Sequence, residues 1–151
     1  MLFVNKLKVL TLMTCLVLVG QGFAANVIKC AANTKWGGFT TVIPDTTSDG
    51  VYKISSPDEL AWFACEVTKR NVASVALNAK LTQSIDLQGK LFIPIAAGKG
   101  TPSYGGTFDG QGYTIKNLFI KGSEIVKAEN GGKDVYAQNI GLFAALKGGT
   151  V

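Results

Sequence analysis

The chain has 151 residues, with 15 basic against 10 acidic side chains and no histidine. Without histidine, Ser-His-Asp and Cys-His nucleophile systems are excluded, as is a catalytic zinc centre of the usual His-rich kind. No basic run is longer than Lys69-Arg70, so nucleic acid is not an expected partner.

Residues 1–24 read as a secretory signal peptide. Lys6 and Lys8 form a positive start, Val9 to Val19 is an apolar run, and Gly22-Phe23-Ala24 puts small residues at the cleavage positions. Cleavage is expected after Ala24. The apolar run is too short for a membrane span, which needs about 20 residues, and Cys15 lies inside it rather than at a lipid-attachment site. The expected location is secreted or cell surface, with no membrane span in the mature chain. Loss of Lys6 and Lys8 leaves 13 basic against 10 acidic residues, so the net charge of +5 overstates the basic character of the mature protein. Two mature cysteines remain, Cys30 and Cys65. Export permits a bridge between them, and two free thiols with one buried is the alternative.

Residues 25–54 have no sustained period and form an irregular N-terminal segment. Trp36-Gly37-Gly38, Pro44-Asp45 and Asp49-Gly50 mark turns, and Val51–Ile54 suits one short strand. Residues 55–71 then carry the clearest helix signal. Ser56 suits the N-cap, Pro57 the first helical position, and Asp58 and Glu59 the positive helix end. Ser56 with Glu59 also fits a capping box. Leu60, Phe63, Ala64 and Val67 define one buried stripe. Trp62 and Cys65 fall on the other side, where the segment carrying Cys30 and Trp36 is expected to cover them.

Beyond Asn71 the period becomes strand-like. Short β-prone runs such as Val75–Leu77, Lys80–Gln83, Ser84–Leu87, Phe92–Ile95, Tyr113–Lys116 and Ile140–Leu146 alternate with Asp-Gly, Gln-Gly, Asn-Gly and Gly-Gly turns. That pattern predicts an all-β architecture, either a sandwich or a solenoid of stacked coils. Gly106-Thr107-Phe108 is echoed by Gly141-Leu142-Phe143 at a repeat-like period, and the preceding helix suits a solenoid cap. The capped solenoid over 72–151 is therefore the preferred reading. Residues 121–137 read as a polar excursion from it, and the strand-like ending at Thr150-Val151 as truncation at the C-terminus.

Chemistry-bearing motifs are sparse. Gly89-Lys90, Gly98-Lys99 and Gly132-Lys133 lack the Ser or Thr of a phosphate loop. Asp86 and Asp109 are the carboxylates within the strand-rich pattern, each explained as a turn residue. A calcium ion at Asp109 would have too few acidic ligands. No catalytic residue, metal or cofactor is assigned. Among Trp36, Trp62, Tyr104, Tyr113 and Phe119, Tyr104 beside Gly105-Gly106 is expected to be exposed and to offer a stacking face to a sugar.

Val51-Tyr52-Lys53-Ile54-Ser55-Ser56-Pro57-Asp58-Glu59-Leu60-Ala61-Trp62-Phe63-Ala64 and Asn78–Leu87 resemble, respectively, the entry segment and the Asn-Ala-x-Leu-Thr run of bacterial surface proteins bearing GLUG-type repeats. Phe92-Ile93-Pro94-Ile95, Tyr104–Ile115 and Ile140-Gly141-Leu142-Phe143 are similar to their later motifs in the same order, with Ser84, Tyr113 and Ala144 departing from the pattern. The resemblance covers about 51–151 and implies a right-handed parallel β-helix, similar to filamentous-haemagglutinin and pectate-lyase folds, with an N-terminal helical cap. It implies a non-catalytic exported or cell-surface segment serving adhesion, glycan binding or as a stalk. Its partners would be a cell-surface or environmental polysaccharide and further β-helix coils of the same protein. The alternative is the N-terminal part of a secreted polysaccharide-degrading enzyme or of a peptidase. No family active-site residue maps onto this chain.

Overall fold

Backbone turns, rather than long ladders, organise the start of the chain. The computed structural model describes residues 28–70, 72, 74–97, 102–121 and 140–151; the signal reading at 1–24 and nearly all of the 121–137 excursion lie outside them. Lys35–Trp36 (β1) and Phe39–Thr40 (β2) pair antiparallel across Gly37-Gly38. A side chain at Gly37, where φ is +61°, would lie 2.5 Å from the Leu91 carbonyl oxygen, and the Gly38 N–H donates to that oxygen at 2.7 Å. Glycine is thus required by close backbone approach as well as by conformation.

The helix Pro57–Arg70 (α1) forms where its capping residues place it. Ser56 Oγ accepts the Glu59 N–H at 3.2 Å. The Glu59 carboxylate reaches back not to Ser56 but to the N–H and hydroxyl of Ser55, both at 2.7 Å. Asp58 Oδ1 accepts the Thr40 N–H at 3.1 Å, fastening β2 to the first helical turn. Every residue from Leu60 to Thr68 is buried, because the hairpin side and the strand side both press on the helix. Trp62 and Cys65 are covered by the Cys30 segment, as their angular position predicts.

Tyr52–Ile54 (β3), Ala79–Leu81 (β4) and Phe108–Asp109 (β6) form a parallel three-stranded sheet in the order β3-β4-β6. Ile85–Asp86 (β5) and Ile115–Lys116 (β7) form a parallel pair. Further isolated parallel bridges join Val75 to Tyr104, Leu91 to Phe119, Ile95 to Phe143, Tyr104 to Leu146 and Thr107 to Thr150. The expected all-β, right-handed parallel β-helix with a helical cap is not what forms. The described residues make a small mixed α/β fold with one helix, strands of two or three residues and three small sheets, without a solenoid or a closed coil. The β-prone runs pair over only two or three residues each: positive φ at Gln88, Ala96 and Asn117 turns the chain directly after Leu87, Ile95 and Lys116, and Pro94 has no N–H to extend a ladder through Phe92–Ile95. The helix, instead of closing an end, supplies much of the core.

Phe63 from the helix meets Tyr52, Tyr104 and Phe108 with ring centroids 6.0, 5.9 and 5.9 Å away. Phe143 packs on Tyr104 at 5.1 Å and on Phe108 at 5.4 Å. Gly106 sets how closely the Tyr104–Phe108 segment approaches its neighbour, since a Cβ there would lie 2.1 Å from the Leu77 carbonyl oxygen. Backbone cannot swing aside as a side chain can. Gly106→Ala is expected to destabilise by about 1–3 kcal/mol through overpacking, read as a lower denaturant midpoint at unchanged m-value; an unchanged midpoint would mean the segments are not in contact.

Candidate binding groove

Strand alternation sorts the three-stranded sheet into two faces. Ile54, Ala79, Leu81 and Phe108 are buried, whereas Lys53, Lys80 and Asp109 face outward. The register places Lys53 beside Lys80 and Lys80 beside Asp109. Above this row runs an open groove of about 340 Å³, lined by Thr47, Asp49, Asn78, Lys80, Thr107, Asp109 and Gln111 among others. The loop before β3 supplies Thr47 and Asp49, and the loop after β6 supplies Gln111.

Its side chains are partly tied down and partly available. Asp109 Oδ1 accepts the Gln111 N–H at 2.9 Å, and Oδ2 accepts the Gln111 side-chain amide. Asn78 Oδ1 accepts the Thr107 N–H at 2.9 Å, which leaves its NH₂ group facing outward at an exposed position. The Thr47 hydroxyl holds the Asp49 carboxyl below the usual range, with its own backbone N–H and the Lys80 charge acting in the same direction. Lys53 Nζ lies 4.0 Å from Asp45. The Lys80 ammonium makes no ion pair or hydrogen bond among the described residues, so it is available to a ligand.

None of the residues singled out from sequence for a bridge or a stacking face (Cys30, Cys65 and Tyr104) lines this groove, whereas Asp109, read there as a turn residue, does. Asp86 lies on β5 in a different sheet, where Oδ1 accepts the Gln88 N–H and the Asn117 side-chain amide, both at 2.8 Å. The Gln88 N–H and the Asn117 amide hold its carboxyl below the ordinary range. The structure therefore does not join Asp86 and Asp109 into one site. Tyr104 is a correction. Its ring is fully buried against Phe63 and Phe143, its hydroxyl donates to the Leu77 carbonyl at 2.8 Å, and burial pushes its phenol well above the ordinary value. Gly105-Gly106 marks close backbone packing there, not an exposed turn, so Tyr104 offers no stacking face. Cys30 and Cys65 are joined by a disulfide with a Cα–Cα distance of 5.8 Å, in the buried core.

Sequence reading missed Asp49, Lys80, Asn78, Thr107 and Gln111. Lys80 and Asp109 had a legible signal, the alternation in Ala79-Lys80-Leu81 and in Phe108-Asp109. Their juxtaposition needed the parallel register.

Chemically, the groove offers hydrogen-bond donors and acceptors to a polar ligand. The Thr47 hydroxyl favours the ionised form of Asp49, and the Asp109 oxygens accept from Gln111 while keeping lone pairs for a further donor. No group of three or more metal-ligating side chains occurs among the described residues. No described helix is long and apolar enough to cross a membrane. No family model matches the chain, and no curated protein and no solved structure matches it either.

Proposed function

We propose that the chain is an exported, non-catalytic module that binds a polysaccharide of a cell surface or of the environment in the groove over β3-β4-β6. The observation that carries this reading is the groove's lining, in which an unpaired ammonium, an amide, hydroxyls and two carboxylates line one open cleft. A saccharide presents hydroxyls that both donate and accept, and such a mixed lining answers both. An open cleft also accepts a chain that runs past it. The signal-like residues 1–24 and a disulfide between Cys30 and Cys65 are consistent with an oxidising, extracytoplasmic destination.

The test uses the chain secreted with its own N-terminus, which should begin at Ala25 after processing. On a panel of plant and bacterial polysaccharides immobilised in native gels, retardation by at least one is expected. Paired substitution Asn78→Ala with Thr107→Val should weaken it, and no reducing sugar should be released. Release of reducing sugar that disappears on Asp109→Asn would overturn the non-catalytic reading, and retardation by none of the panel would overturn the binding one.

A further inference from the structure

Resting on that reading, we infer that the groove takes an uncharged sugar chain through pairs of adjacent hydroxyls, and does so without a metal ion. Charge is the first argument. Asp49 and Asp109 face one cation, Lys80, so the lining carries a net charge of −1. Lys53, the neighbouring cation in the outward row, is drawn to Asp45. A uronate carboxylate entering the groove would find a single ammonium between two carboxylates. An uncharged sugar meets no such opposition.

Register is the second argument. Lys80 on β4 and Asp109 on β6 are directly paired, which sets a donor and an acceptor about 4.8 Å apart at the backbone. Two neighbouring ring hydroxyls fit this arrangement: one donates to the carboxylate while the other accepts from the ammonium. Asn78, two residues before Lys80, and Thr107, two residues before Asp109, line the same groove, with Asn78 Oδ1 taken by the Thr107 N–H and its NH₂ group making no hydrogen bond among the described residues. Asp49 and Thr47 close the far wall with a second acceptor held ionised. The same lining disfavours a cation. Calcium asks for six to eight oxygen ligands, and the ammonium of Lys80 already lies in the field of the carboxylates it would need.

The test compares uncharged polysaccharides (a β-1,3-glucan, a mannan, a xylan) with polygalacturonate and alginate, each with calcium and with EDTA. Binding to at least one uncharged polymer, unchanged by EDTA, is expected. Lys80→Met and Asp49→Asn should each weaken it about tenfold, while thermal melts stay close to the parent because both side chains face the open groove. Binding confined to the uronates, binding lost in EDTA, or binding indifferent to both substitutions overturns the inference while leaving a glycan-binding chain in place. Binding to no polymer of either kind overturns the inference and the proposed function together.

Discussion

Replacing Cys30 and Cys65 together by serine is expected to destabilise the chain by about 3–4 kcal/mol. The bridge spans a sequence separation of 35 residues, and by the chain-entropy model a loop of that length removes about this much from the unfolded state. Unfolding should shift down by roughly 10–20 °C for a domain of this size. The loss falls on a specific place. Cys30 joins the irregular N-terminal segment to the helix, where the Trp62 indole N–H donates to the Cys30 carbonyl at 2.7 Å. Calorimetry of the double variant against the oxidised parent, with thiol counting on the denatured parent, checks both halves. Two reactive thiols in the unreduced parent, or an unchanged melting temperature, would sink the expectation.

Glu66→Ala should cost a similar amount, about 3–5 kcal/mol. Glu66 is fully buried in the middle of the helix, yet its carboxylate has partners on both oxygens. Oε2 accepts the Lys29 and Cys30 N–H groups, each at 2.7 Å, and Oε1 accepts Arg70 Nε at 3.0 Å and Nη2 at 2.6 Å. Removing a buried carboxylate from such a cluster strands its donors, and losses of this size follow when one partner of a buried ion pair is deleted. Glu66→Gln should lose less, because the amide oxygen still accepts from one side. Because the carboxylate and the disulfide hold the same segment, their effects should not add. The variant lacking all three side chains is expected to fall short of the sum by 0.5 kcal/mol or more. Denaturant unfolding of the single, double and triple variants measures this, and strict additivity would mean the two fastenings act independently.

How far these features were legible varied with their range. The helix was readable because its signals are local: Ser56, Pro57, Asp58 and Glu59 at one end, and the spacing of Leu60, Phe63, Ala64 and Val67 behind them. The covering of Trp62 and Cys65 followed from angular position. Glu66 was not legible, since a glutamate two turns into a helix reads as solvated until backbone N–H groups from Lys29 and Cys30 are brought to it. Tyr104 was misread for a related reason. Two adjacent glycines mark either an exposed turn or a close backbone approach, and only the Leu77 and Lys147 carbonyls beside Gly105 and Gly106 decide which.

By itself, then, the sequence determined the helix with its Ser56 cap, the Gly37-Gly38 turn, the candidate bridging cysteines and the absence of histidine chemistry. These depend on residues a few positions apart or on composition alone. Tertiary structure decided that the β-prone runs become short parallel segments packed around the helix rather than closed coils, and that Asp49, Lys80 and Asp109 share a groove. The physical reason is that parallel pairing sets Ile54 beside Leu81, and Lys80 beside Asp109, through hydrogen bonds between segments far apart in the chain. No local period encodes which distant segment will supply the partner.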